Sequence, residues 1–364
     1  MKVERFGRAA AILSVASVAL VACGGNGDNG GGDAADSDVS GNLTGSGASS
    51  FQVAMEEWQF EFGDQTDASV DYNAVGSGQG RSEFLSGAVD FAGSDAVMDD
   101  DEFEESTERC GADGAFHLPA AILPIGVAIN LEGVDTVNLD ADTLADIFAG
   151  EITSWDDPAI AEHNEDADLP DTPITVIHRS DDSGTTENFT EYLEQASTTW
   201  DWEADGEWPG DISAESADGT SGVVDAVSGQ DGAITYADAG QIPDDLAMAS
   251  VEVGGEYSEV SPEAAGQAVE ASDRLEGQAE NNLAFELSRD TDEAGAYPIV
   301  QVAYTIWCNE YDSQEEADLA AAFASYIVSE DAQQIGADEA GAAPLPDDLR
   351  SEAEDAIEQI SAGE

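Results

Sequence analysis

The chain has 364 residues, 80 of them Asp or Glu against 9 Lys or Arg, for a formal net charge of -71 at pH 7. That sign excludes nucleic acid as a partner, because a phosphate backbone is held first by basic side chains. Apolar residues still make up 41%, enough for folded cores rather than a disordered acidic polymer, and the length suggests two domains. So many carboxylates with a single lysine, Lys2, fit a halophilic protein: in multi-molar salt the Debye length falls to about 3 Å or below and self-repulsion is screened.

Residues 1–22 begin with the basic Lys2, Arg5 and Arg8 and continue as an apolar run too short for a bilayer span. With Leu20-Val21-Ala22 before Cys23, the segment resembles a lipoprotein signal, whose cysteine is lipidated after cleavage. This implies an extracytoplasmic protein, lipid-anchored to the outer face of the membrane. Removal of the signal leaves six basic residues, all arginine. Residues 23–42, rich in Gly and Asp, carry no apolar period and read as a flexible tether. Export implies an oxidising compartment, in which Cys110 and Cys308 either pair or remain two buried thiols; a sequence does not decide connectivity.

After a Gly/Ser loop, Phe51, Met55, Trp58 and Phe62 recur at i, i+4, i+7 and i+11, which predicts a helix. A strand with Val70 and Tyr72 follows, then a Gly/Ser turn, a helix with Phe84 and Leu85, and a short strand. The acidic run at 99–107 matches no calcium-loop spacing and reads as a solvated face. Apolar runs at 120–130, 173–178, 232–237 and 297–308 predict strands, alternating with helical stretches at 140–152 and 186–196. That alternation predicts an α/β fold with a largely parallel sheet. The late run at 297–308 is placed to return to the first domain's sheet, giving domain I as 43–119 plus 297–364 and domain II as 120–296. Asn42 and Asn188 sit in glycosylation acceptor patterns, the first accessible and the second on a helix.

Three Gly/Ser/Thr turns each precede a predicted helix: Ser49-Ser50, Ser77, and Ser183-Gly184-Thr185. A helix start exposes unpaired N–H groups and a partial positive charge, so it suits an anion; any one hydroxyl there also suits a simple cap. Arg179, in the stretch HRSDDSGTT, supplies a planar fork for a tetraoxyanion, and Asp181 is positioned to orient it. Fixed dipoles and one guanidinium act at contact distance, where a strongly negative global field does not prevent binding. Asp95, in AGSDA, repels a bare dianion but accepts a proton from hydrogen phosphate, which discriminates against sulfate. By position alone Asp95 also suits a turn cap.

The stretches LTGSGASSF, YNAVGSGQG, FAGSDA, LADIFAGEITSWDDPAI and HRSDDSGTTENFTEYL, in this order, closely resemble the phosphate-binding component of the high-affinity phosphate ABC transporter. The resemblance runs from about Leu43 to the C-terminus. It implies a type II periplasmic-binding-protein fold, two α/β domains with a hinge and a ligand cleft. It also implies phosphate contacts by Ser49, Ser50, Ser77, Asp95, Arg179, Ser183, Gly184 and Thr185. The implied partners are inorganic phosphate and ABC permease subunits, for a monomer without metal, cofactor or catalytic residue. Other readings are a receptor for sulfate, molybdate or tungstate, a phosphate sensor, and a secreted phosphatase. The last lacks clustered histidines, since His117, His163 and His178 are dispersed, and GSGQGR lacks the ending of a nucleotide loop.

Overall fold

The computed structural model describes residues 39–363. The expected signal, the lipidation site Cys23 and the tether as far as residue 38 lie outside them. β1 (Ser40–Gly47) pairs in parallel with β2 (Asp67–Ala74), which follows α1 (Gln52–Gln65). On its other side β1 pairs with β3 (Phe91–Ser94), which follows α2 (Ser77–Leu85). Residues 40–42 are therefore strand rather than tether, and the stretch read as a Gly/Ser loop is the inner strand of this group. Its glycines are required by close approach. At Gly47, with φ 143°, a Cβ would lie 1.9 Å from the Gly93 carbonyl oxygen, and at Gly45 a Cβ would meet the Phe91 ring at 2.3 Å. Without side chains to alternate, the strand carries no hydrophobic period.

α3 (Asp100–Arg109) contains most of the acidic run. Asp99 and Glu102 form a reciprocal capping box at its start, and Glu102 also pairs with Arg81 at 3.0 Å. The chain continues through β4 (Ala115–Ile129), β5 (Thr136–Leu139), α4 (Ala141–Phe148), α5 (Pro158–His163), β6 (Thr175–Arg179) and α6 (Gly184–Ala196). Next come β7 (Glu215–Ala217), α7 (Gly219–Ser228), β8 (Ala233–Asp238), β9 (Ala247–Val253), β10 (Glu256–Ser258) and α8 (Pro262–Glu270). Two short strands, β11 (Asp273–Arg274) and β12 (Phe285–Glu286), precede β13 (Val300–Cys308) and β14 (Glu310–Tyr311). Helices α9 (Gln314–Val328), α10 (Glu330–Ala340) and α11 (Asp347–Ile357) and strand β15 (Ser361–Ala362) complete the described chain.

The main sheet runs β2-β1-β3-β13-β4-β8-β6-β7, with β9 branching from β4. It is mixed, not largely parallel. β13 does insert beside β3, but it runs antiparallel to both β3 and β4, and β4 is antiparallel to β8 and β9. Alternation of strands and helices is blind to this, because the direction in which a strand enters the sheet is set by its connections and its tertiary pairing, not by its own residues.

Two main apolar cores divide along β4. Residues up to Leu123 pack with α1, β13 and the C-terminal helices, whereas Ile125, Val127 and Ile129 pack with Trp155, Phe189 and Tyr236. The α1 stripe predicted from spacing is buried as expected, and Trp58 Nε1 donates to the Ala332 carbonyl at 2.8 Å. Ala265, Ala268, Val269, Ala284 and Leu287 join the first core.

Cys110, which ends α3, is bonded to Cys308 at the end of β13 across a sequence separation of 198. A crosslink closing so long a loop restricts the unfolded chain strongly. The Cys110→Ser/Cys308→Ser double variant should lose about 2–5 kcal/mol in denaturant unfolding. Identical midpoints with and without reductant would contradict a stabilising role.

Candidate functional site

The segments that sequence singled out converge. The turn after β1 carries Ser49 and Ser50, α2 starts at Ser77, Asp95 follows β3, Arg179 ends β6, and Ser183-Gly184-Thr185 opens α6. All of these residues are buried. Packing at the centre is tight enough that a Cβ on Gly184 would lie 2.6 Å from Ser77 Oγ and 2.8 Å from Asp95 Cβ. Only glycine lets the α6 backbone come this close to α2 and the Asp95 turn.

The helix starts around this point differ from most others in the chain. The residues preceding α1 and α2 make no side-chain cap, and the first N–H groups of α7 go to Asp181 at 3.1 Å and Ser49 at 3.2 Å rather than to Asp218, whereas Asp99, Asp140, Asp157, Ser261, Ser313 and Ser329 cap helices elsewhere. At α2 the Gly78 N–H meets the Asp182 carbonyl at 3.3 Å, and the other uncapped N–H groups at these buried starts suit an anion. At α6 the cap is present: Ser183 Oγ accepts from the Thr186 N–H at 3.3 Å, which leaves the Ser183 hydroxyl proton for another acceptor.

Arg179 is 2% exposed. Its Nε donates to Asp181 Oδ1 at 2.8 Å, its Nη2 donates to Asp181 Oδ2, and the second carboxylate contact makes the pair bidentate. The same guanidinium donates to Ser49 Oγ at 3.1 Å and to Thr220 Oγ1 at 3.3 Å. Burial pushes the Asp181 carboxyl up, but the hydrogen bonds and charge of Arg179 outweigh it and hold the carboxyl below its ordinary range. The Gly219 N–H adds a further bond to Asp181 at 3.1 Å.

Asp95, 3% exposed, accepts from Ser50 Oγ at 2.6 Å and, more weakly, from Thr185 Oγ1 at 3.4 Å. Its N–H donates to Ser77 Oγ at 3.1 Å, so the Ser77 proton also stays free. Burial pushes the Asp95 carboxyl up to about 6, against the lowering effects of Ser50, Arg179 and Thr185. Water-poor surroundings thus make this carboxylate a strong proton acceptor. Asp238, buried at the end of β8, is pushed up by burial and then by the charge of Asp95.

Three contributors escaped the sequence reading. Thr220 bonds Ser49 and Arg179 and lies at the start of α7, in ADGTSG, a fourth turn of the same composition as the other three. Asn188 donates to the Asp95 carbonyl at 2.7 Å and to the Gly184 carbonyl at 2.8 Å; it is 5% exposed on α6, in keeping with its expected inaccessibility to a glycan. Gln241 donates to the carbonyls of Ser49 and Ser50, the first at 3.2 Å. No local signal marks these last two. The histidines have other partners. His117 is buried and lowered to about 4 by burial, while His178 stacks on Trp208 and bonds the Arg179 carbonyl.

The chain as a whole is similar to known proteins. Residues 32–331 match the PBP superfamily domain (PBP_like_2). Phosphate-binding protein PstS 2 of Mycobacterium tuberculosis is 36% identical over 329 residues, 88% of this chain and 87% of that protein. PstS 3 of the same organism is 34% identical over 380 residues, 99% and 100% of the two chains. A high affinity periplasmic phosphate-binding protein (PfluDING), solved bound with phosphate, superposes with a TM-score of 0.70 at 21% identity, covering 85% of this chain and 92% of its own. That likeness shows the fold, the two-domain α/β fold of periplasmic binding proteins. With identity extending over almost the whole length of its relatives, the chain belongs to the PstS family of phosphate-binding proteins.

Proposed function

We propose that this protein captures inorganic phosphate outside the cytoplasm and delivers it to an ABC permease. The observation that carries this reading is the pairing of one buried guanidinium with one buried, proton-hungry carboxylate at uncapped helix starts. A bare dianion satisfies the donors and is repelled by Asp95. Hydrogen phosphate satisfies both, because its O–H donates to Asp95 while its other oxygens accept from Arg179, the N–H groups and the hydroxyls. In this reading Ser49, Ser50, Ser77, Ser183, Gly184 and Thr185 supply the remaining donors and Asp181 fixes the fork. Ser50 faces Asp95, which assigns its hydroxyl to the carboxylate and its N–H to the ligand.

Capture and release require the cleft to open, and the hinge is placed where β4 passes between the cores at residues 123–125 and where the chain returns at 299–300. Domain I is then the part built on β1–β3, β13 and the C-terminal helices, and domain II the part built on β5–β9. The protein works as a monomeric binding protein without cofactor or catalytic residue, anchored through lipid on Cys23 and suited to high salt. No helix among the described residues is long and apolar enough to cross a membrane.

Calorimetric titration in multi-molar KCl should give tight one-to-one phosphate binding and little heat from sulfate or molybdate. Preference for an unprotonated dianion such as sulfate or molybdate would reassign the ligand, and absence of phosphate binding would overturn the reading. Arg179→Lys keeps a charge but loses the fork, and should weaken phosphate by about 100-fold, or roughly 2.7 kcal/mol. Unchanged affinity would remove Arg179 from the contact set.

Asp95 adds a pH dependence. As pH falls through about 6 the carboxyl gains its own proton and ceases to be an acceptor. The phosphate-over-sulfate ratio should therefore shrink between pH 8 and pH 5 (both roughly chosen to bracket the titration) and be low and flat in Asp95→Asn. Stability of the ligand-free protein moves with the opposite preference. The folded state holds this proton more tightly than the unfolded chain, so the contribution is full below about 3.9 and is lost as pH rises towards 6. A ratio independent of pH in the unsubstituted protein would argue against Asp95 as proton acceptor.

A further inference from the structure

Apart from the Arg179 site, three elements bring metal-binding atoms together. Asp140 caps α4, His163 is the last residue of α5, and Glu252 lies on β9; one ligand atom from each lies within 4.8 Å of the others. First-row cations hold nitrogen and carboxylate ligands at about 2.0–2.2 Å, so the ligand atoms themselves stand roughly 3.5 Å apart. Closing the triad needs side-chain shifts of about 1 Å by that geometry, and Glu252 is exposed and free to make them.

Two groups here lack the partners that the protein alone should give them. His163 Nδ1 is held by the Tyr257 hydroxyl at 2.7 Å, which fixes the ring. Its Nε2 has Asp140 Oδ2 at 3.5 Å and Thr143 Oγ1 at 3.4 Å, both beyond the span of a well-formed hydrogen bond. An imidazole oriented through one nitrogen with the other aimed at carboxylates is the usual arrangement of a metal ligand. The second group is Tyr192, 1% exposed, whose hydroxyl is buried without a hydrogen-bond partner. Tyr192 lines a cavity of about 580 Å³ together with Asp140 and Glu252, and those two carboxylates are the charges acting on its hydroxyl. A buried hydroxyl left without a partner is destabilising, so a bound water is expected there.

We propose that Asp140, His163 and Glu252 bind a divalent cation of the zinc class, with water in the open position serving the Tyr192 hydroxyl. One imidazole with two carboxylates suits such an ion, whereas magnesium and calcium prefer all-oxygen sets and copper(I) prefers sulfur. The ion would tie α4, α5 and β9 together, in side chains separate from those assigned to phosphate. The rival explanation is a protonated His163 paired with the two acids.

The test uses the full chain, freed of metal by chelation and kept free of phosphate, in high KCl to screen the acidic surface. Titration with cobalt(II), followed by visible absorbance, and with zinc, followed by calorimetry, should show one equivalent bound. Glu252→Gln, an exposed change that leaves the fold intact, should weaken binding at least tenfold, and His163→Ala should abolish the cobalt band. Phosphate affinity, measured without metal, should stay the same in both variants. Absence of one-equivalent binding, or equal binding in Glu252→Gln, would overturn the site and assign the cluster to an imidazolium ion pair.

Discussion

A guanidinium is buried at the junction of the two cores of a protein with a net charge of -71, and the site depends on keeping it there. Burial of an unpaired charge costs several kcal/mol. Asp181 offsets that cost through both carboxylate oxygens, and Ser49 and Thr220 occupy further donors. The fork is thereby held in one orientation before any ligand arrives. Pre-orientation matters more here than in a neutral protein, because long-range attraction for an anion is absent and affinity must come from contacts made in the last few ångströms.

The uncapped helix starts extend the same logic. Serine and aspartate caps are abundant among the described helices, so their absence from α1 and α2 is not a shortage of suitable residues. The hydroxyls near those starts are turned instead toward Asp95, Arg179 and one another. Hydroxyls that could otherwise accept from the first N–H groups of α1 and α2 are turned elsewhere, those donors are left free near one point, and Asp95 adds an acceptor not taken by Arg179. With Arg179 paired to Asp181, the site's remaining charge is the Asp95 carboxylate among neutral donors, which suits a ligand that brings a proton with its negative charge.

Much of this was legible in sequence because it is local. The α1 stripe, the Gly/Ser/Thr turns and the Arg179–Asp181 spacing each lie within a short window, and backbone rules act on windows of that size. What was misread is either non-local or silent. β1 looked like a loop because its glycines are chosen for contact with Phe91 and Gly93, far along the chain. The mixed sheet depends on β13 inserting between β3 and β4, a pairing across more than half the chain. Asn188 and Gln241 reach the site only through tertiary packing, whereas Thr220 sat in a turn that matched the others.

Arg289 shows why the few remaining cations are worth keeping apart from the ligand. Its side chain is fully buried, paired with Glu191 at 2.8 Å, and it donates to the Pro298 carbonyl at 3.2 Å, to the Val300 carbonyl and to Asn188 Oδ1. Asn188 in turn donates to the Asp95 carbonyl. One network therefore runs from the strand that returns between the cores, through α6, to the carboxylate turn. Asn188 is thus held on one side to the Asp95 turn and on the other, through Arg289, to the returning strand. If the cleft opens as proposed, a ligand that bridges Asp95 and the α6 start would add its contacts only to the arrangement in which this network is made.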